Sequence, residues 1–179
     1  MKRIYILTND PSMTAWGWAV LDTENNVIES DCIKTSPEHK KLRIRKGDDT
    51  VRRINDITQE LLTVLEKYPI RLILSELPHG SQNASAAVMI GVVAGIMQTF
   101  SVSFNIPIEW FSEQDAKKTI LKKKAATKQE MIDAIDKKYD MIWTRIKYKD
   151  EAIADSLAIH YTALQNSNLL KILCQTSVR

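Results

Sequence analysis

An α/β architecture, a five-stranded mixed sheet with helices on both faces, is what this sequence predicts. Three observations predict it. Residues 3–33 hold three short apolar runs separated by breakers, which read as an antiparallel three-strand meander. Two later apolar runs, 71–77 and 108–111, alternate with segments of helical periodicity. Such strand–helix–strand units imply parallel pairing with right-handed crossovers. The 179 residues, 44% hydrophobic and 26% charged, suit a single domain over 1–179 with its core at about 3–166.

The elements follow in order. Residues 3–9 alternate and are rich in Ile, Tyr and Leu, hence a strand, broken by Pro11 and Ser12. Residues 15–21 form the second strand, 22–26 a turn of Asp, Thr, Glu and Asn, and 27–33 the third. Residues 34–53 are polar and basic, a loop or the exposed start of a helix. Val51, Ile54, Ile57, Leu61, Leu62 and Leu65 recur at helical spacing, with Asp48, Asp49 or Thr50 as caps, and Pro69 ends that helix. Residues 71–77 read as a buried strand, turned by Pro78-His79-Gly80. A helix over 84–100 follows, then a strand from Ile108 to Phe111 and a helix capped by Ser112. Thr127-Lys128-Gln129-Glu130 is a capping box opening a helix to about Lys138. Asp150 and Glu151 suit the start of the final long helix, since acids favour a helix N-terminus.

Lys and Arg number 25 against 22 Asp and Glu, a formal charge of +3 that permits a nucleic-acid partner without demanding one. Cys32 and Cys174 are too far apart in sequence for metal spacing and too few for a disulfide framework. The opening apolar run stops at Thr8-Asn9-Asp10, too short for a signal peptide, so a cytoplasmic protein is expected. Residues 80–107 carry no charge, with Gly91 and Gly95 in a GxxxG spacing. The interruption of that run by Gln98, Thr99, Ser101, Ser103 and Asn105 favours a buried core helix over a membrane span.

In such a sheet, ligands gather beyond the carboxyl ends of the parallel strands. Asp10 ends the first strand, Glu76 lies near the end of the fourth, and Asp150, Glu151 and Asp155 lie in the first turns of the last helix. An unpaired carboxylate on a central strand is costly, and a cluster of them repels itself unless a cation holds it. Oxygen ligands without a Cys or His cluster favour Mg²⁺, with Mn²⁺ able to substitute. Two such ions clamp the attacking and leaving oxygens of a phosphodiester displacement. Glu151 and Asp155 are four residues apart and share a helix face. Asp150 is about 140° round the helix from Asp155, the weaker candidate.

Ile6-Leu7-Thr8-Asn9-Asp10-Pro11-Ser12, with Trp16-Gly17-Trp18-Ala19-Val20, resembles the first motif of RuvC-type Holliday junction resolvases. Ser75-Glu76-Leu77, with residues 80–87 behind it, resembles the second, especially in phage-type members. Glu109-Trp110-Phe111 followed by Lys117, Ala126-Thr127-Lys128, and Ala154-Asp155-Ser156-Leu157-Ala158-Ile159 are similar to the remaining segments. The resemblance covers about residues 4–165. It implies an RNase H-like fold, a homodimer, and Mg²⁺-dependent paired nicking of four-way DNA junctions in a bacterial or phage-infected cell. It carries Asp10, Glu76 and Asp155 over as catalytic and metal-binding residues. The family's further acid or His falls on Ala152, and Glu151 is the substitute chosen by helix geometry. Ser12 stands where bacterial members usually have Gly. Other readings on the same fold are a nuclease for other branched DNA or for RNA, and a junction binder with impaired catalysis.

Lys117, Lys118, Lys122, Lys123, Lys124 and Lys128 form a basic stretch suited to phosphate neutralisation beside such a site. The resemblance singles out Lys117 and Lys128 as the groups near the scissile phosphate. Lys40, Lys41, Arg43, Arg45, Lys46, Arg52 and Arg53 form a second patch on a flank able to reach a DNA arm. Trp16 and Trp18 share one strand face and are expected to pack rather than stack on bases. His79 is open to either a substrate or a solvent role, and His160 is expected to be structural.

Overall fold

The structure is a computed structural model, and it describes residues 3–123 and 126–176. Strands β1 (Tyr5–Asp10), β2 (Ala15–Asp22) and β3 (Val27–Lys34) form the meander. After it come α1 (His39–Leu42), α2 (Lys46–Lys67), β4 (Ile70–Glu76), α3 (Ala84–Phe104) and β5 (Ile108–Phe111). Helices α4 (Glu113–Leu121), α5 (Lys128–Asp136), α6 (Lys147–Asn166) and α7 (Asn168–Thr176) complete the order. The sheet runs β3-β2-β1-β4-β5, with β1, β4 and β5 parallel and β2 antiparallel to both its neighbours. The five-stranded mixed sheet therefore stands as the sequence predicts, within a residue or two at most strand ends.

Side-chain alternation sorts the two faces. On one, Tyr5, Leu7, Trp16, Trp18, Val20, Ile33 and Ile73 pack under α2 and α3, with Ile57, Leu61, Val93, Met97 and Phe100. On the other, Ile6, Ala19, Leu21, Leu72 and Leu74 pack under α4, α5 and α6, with Ala116, Met131, Ile135, Leu157 and Ala158. Both tryptophans are core residues, and the Trp16 indole N–H donates to Asn9 Oδ1 at 3.2 Å.

Several local expectations are corrected. Helix α2 starts at Lys46 with Arg45 as its N-cap, so Asp48 and Asp49 are first-turn residues. Asp49 instead accepts the Glu38 N–H at 2.9 Å and ties α1 to α2. Helix α6 begins at Lys147 with Asp150 in its first turn, as expected, and the Asp150 side chain also accepts from Thr144 in the preceding turn. Helix α3 is not a buried core helix. It buries Val93, Met97 and Phe100, while Val88 and Val102 are 59% and 72% exposed. By length and composition alone α3 could cross a membrane. Its buried stripe lies on the sheet, and an uncharged face is left outward.

Candidate active site

The period of two along a strand decides which acids meet. In β1, Ile6 faces the α6 side and Leu7 the other. Thr8 faces α6 again, its hydroxyl donating to the Ser156 carbonyl at 2.7 Å. Asp10 follows on that same face. In β4, Leu72 and Leu74 face α6 and Ile73 does not, so Glu76 also points toward α6. The Thr8–Ser156 bond anchors α6 one residue from Asp155.

Close approach of that helix depends on Gly17, the residue paired with Asp10 across β1 and β2. A Cβ there would lie 1.9 Å from the Ala152 carbonyl oxygen and 2.3 Å from its carbon. Only a glycine lets α6 rest its backbone on the sheet at this point.

The three acids feel one another. Burial, then the charges of Asp155 and Glu76, drive the Asp10 carboxyl well above its ordinary range. Burial and the charges of Asp155 and Glu113 push Glu76 from an ordinary 4.5 up to about 7. Burial raises Asp155 as well, against the opposing pull of Lys128. The Lys128 ammonium contacts Asp155, and its charge also lowers Asp10 and Glu76. Lys117 contacts Glu113 at the start of α4, and this pair adds to the field at Glu76 and Asp155.

Glu113 is the acid that reading the sequence missed. It sits two residues past Phe111, which pairs with Glu76, so parallel pairing of β5 with β4 brings it to the site. The signal was present: an acid immediately after a strand that must lie beside Glu76. Glu151 is 25% exposed, lines a cleft of about 760 Å³ beside Lys128, and lies 4.0 Å from Lys147. It is on the Asp155 face of α6 but is not among the charges that shift Asp10, Glu76 or Asp155 most. Asp150 is buried and accepts the Thr144 N–H and hydroxyl at 2.9 and 2.7 Å, which leaves it a structural role. His160, fully buried, meets the Tyr139 hydroxyl at 2.6 Å, and burial pushes its pKa down to about 3. His79 is exposed and close enough to lower Glu113.

The basic residues divide. Lys118 and Lys122 are exposed, and Lys123 contacts Glu130. Lys124 lies outside the described residues. Arg43 and Lys46 are exposed, while Arg45 holds Asp48 at 2.8 Å. Arg53 leaves the second patch. It is 8% exposed and donates to the Met13 carbonyl at 2.6 Å and to Thr35 Oγ1 at 2.8 Å. This contact also brings the start of α2, and the patch on it, to the Asp10 end of β1. Arg52 is held by Asp49 and Asp56 at 2.9 and 3.0 Å.

The donor set fits a hard divalent cation: carboxylate oxygens, no thiolate, and repulsion that a cation would relieve. Among the described residues no three His, Cys, Asp or Glu side chains already form a metal cage. Lys128 supplies positive charge against Asp155 instead.

A measurable consequence follows from Glu76. The folded, metal-free chain holds a proton there that the unfolded chain releases above its ordinary 4.5. The folded state binds more protons between that value and about 7, so stability falls as pH rises through this window. Glu113 and Glu130, held below their ordinary values by Lys117 and Lys123, act in the opposite sense at lower pH, and buried His160, pushed down to about 3 from an ordinary 6.5, opposes Glu76 within the same window. The Glu76 share is read against Glu76→Gln: in urea unfolding with chelator, wild type is expected to lose about 1–3 kcal/mol more than the variant from pH 5 to pH 8. Parallel pH profiles for the two proteins would clear Glu76 as the source.

The β3-β2-β1-β4-β5 order with helices on both faces is that of an RNase H-like fold, and the acids gather at one end of its sheet. The family model for crossover junction endodeoxyribonuclease RuvC matches residues 6–163. The chain belongs to this family, whose members are junction-resolving endodeoxyribonucleases dependent on a divalent metal.

Solved structures agree in fold. Thermus thermophilus RuvC in complex with a Holliday junction substrate matches at TM-score 0.71 and 17% identity, over 92% of this chain and 95% of that one. Thermus thermophilus RuvC alone matches at TM-score 0.66 and 17% identity, over 92% and 96%. The yeast mitochondrial Holliday junction resolvase Ydc2 matches at TM-score 0.55 and 12% identity, over 96% and 85%. A search of curated proteins finds no match.

Proposed function

We propose that this chain, as a single nuclease domain, resolves four-way DNA junctions by paired phosphodiester nicks in a bacterial or phage-infected cytoplasm. The observation that carries the reading is the convergence of Asp10, Glu76 and Asp155 on one sheet face, with Lys128 against Asp155. These three acids would hold Mg²⁺, with Mn²⁺ able to replace it and Glu151 one turn away as the auxiliary oxygen donor. When bound, the ion supplies Lewis-acid stabilisation of charge at the scissile phosphate.

The chain's own residues do the rest. Lys128, released from Asp155, and Lys117 donate to phosphate oxygens and orient the strand. The bases Lys118, Lys122, Lys123 and Lys124, with Arg43, Arg45 and Lys46 at the same end of the sheet, supply neutralisation along the arms. Burial around Asp10 and Glu76 lowers the local dielectric and strengthens each of these interactions.

The outward face of α3 takes a second copy of the chain. Ala84, Val88, Gly91, Gly95 and Val102 are exposed and uncharged, and a Cβ at either glycine would meet nothing within 4 Å. Small residues on such a face let a partner helix approach closely. Sedimentation is expected to give the mass of two 20.4 kDa chains. A monomer at micromolar concentration would reject this face as the interface.

The deciding experiment offers a synthetic four-way junction, a flap, a linear duplex and single-stranded RNA, each with Mg²⁺ or Mn²⁺. Symmetric nicks in the junction, with little cutting of the others, are expected. Equal rates on junction and duplex would refute the substrate assignment.

A further inference from the structure

Between α5 and α6 lies a segment that the metal site does not use. It is pinned at two points. The Trp143 indole N–H donates to Asp136 Oδ1 at 2.7 Å. Thr144 donates twice to the buried Asp150, and the Ile146 N–H donates to Thr144 Oγ1 at 3.1 Å.

The two residues not pinned project outward. Ile142 is 96% exposed. Arg145 has φ 64°, a left-handed conformation that disfavours a side chain. Of the other non-glycine residues in that region, Arg43, Asn105 and Lys122 close helices and Asn25 sits in the β2–β3 turn. Arg145 does neither, so its turn is held open by Asp150 rather than by helix termination. Its guanidinium has no acid partner among the described residues.

This segment forms one wall of the 760 Å³ cleft that Lys128 and Glu151 also line. Through Lys128 the cleft is continuous with Asp155. The cleft's own acids are engaged by hydrogen bonds: Asp133 accepts from Gln129, Asp136 from Trp143 and Asp150 from Thr144. On this wall Arg145 is exposed and offers its guanidinium to a phosphate. An exposed isoleucine beside it finds an apolar partner in DNA only where bases are unstacked, as at a branch point.

We propose that residues 142–145 form a second DNA-contacting element. Arg145 holds a backbone phosphate of the strand running away from the reaction centre, and Ile142 packs against bases exposed at the branch. The proposal rests on the junction-cleaving reading above and names one more part of its substrate surface.

The test is equilibrium binding of a fluorescent four-way junction and of a linear duplex in chelator, across a salt series, so that cleavage plays no part. Arg145→Ala is expected to reduce the slope of log affinity against log salt by about 1, as loss of one phosphate contact does. Arg145→Lys should keep the wild-type slope. Ile142→Ser should leave the slope unchanged and weaken junction binding about tenfold, with duplex binding little altered. Both side chains are exposed, so unchanged circular dichroism is expected and serves as the folding control.

A wild-type slope in Arg145→Ala, or equal weakening of duplex and junction in Ile142→Ser, would overturn the proposal. If these variants match a wild-type protein that itself prefers the junction, only the loop assignment fails. If the wild-type protein shows no preference for the junction, the functional reading fails and the loop assignment falls with it.

Discussion

Asp10→Asn is expected to lower junction cleavage by about a thousandfold or more while leaving the fold intact. A metal ion stabilises transition-state charge by several kcal/mol, and each 1.36 kcal/mol is worth about tenfold in rate. Asp10 is central to that loss because β1 is the middle strand, with β2 on one side and β4 on the other. It feels both Glu76 and Asp155, so no neighbour can take over its position. The substitution is nearly isosteric and removes a buried charge that repels two others. The metal-free variant should therefore unfold at the same urea concentration as wild type, or a higher one. Glu76→Gln and Asp155→Asn should behave alike. Glu151→Gln should cost far less, about tenfold, because its side chain faces Lys147 and the adjoining cleft. Single-turnover cleavage of the junction, beside urea unfolding in chelator, checks both halves. Full activity in Asp10→Asn would dismiss the acid cluster as the reaction centre.

Gly17→Ala is expected to have the largest effect on stability, about 3 kcal/mol or more. All three near neighbours of the added methyl belong to the Ala152 backbone, with the closest at 1.9 Å. A flexible side chain could step aside, but a helix backbone packed on a sheet cannot without moving α6. That movement would strain the Thr8–Ser156 hydrogen bond and carry Asp155 away from Asp10. Cleavage should fall with stability, and Mg²⁺ should restore little of it. Gly47→Ala is the contrast. It lies in the first turn of α2 with nothing within 4 Å of the new methyl, so a gain of up to about 1 kcal/mol is expected. Urea midpoints for the two variants should move in opposite directions. A Gly17→Ala protein as stable as wild type would show that α6 has slack at this contact.

Much of this was legible along the chain. The apolar runs of β1 to β5, the breakers between them and the capping box at Thr127 each act over a few residues, and each stands where the sequence puts it. Asp10 and Glu76 were singled out because they stand at the carboxyl ends of strands expected to run parallel, where ligands gather. What went unread has a different origin. Helix α3 is apolar all round, so no sequence stripe marks which side meets the sheet, and only packing reveals an outward face. Arg53 looked like one more base in a basic run, yet its guanidinium reaches back to Met13 and Thr35. Asp150 stands in the first turn of α6 as its composition suggests, but its side chain also holds Thr144, which no local pattern marks.

The acid site divides along the same line. Pattern along the chain was enough for the sheet and the faces of its strands, and it pointed to Asp10 and Glu76 at strand ends and to Glu151 and Asp155 on the last helix. Those features depend on the local period of the backbone and on the hydrophobic pattern laid over it. It took the folded chain to bring Glu113 into the field of the site, to set Lys128 against Asp155 and to make Gly17 the limit on how near α6 can come. The reason is physical. Charge interactions and backbone clashes depend on distance through space, and residues 17 and 152, or 128 and 155, become neighbours only when the chain has folded.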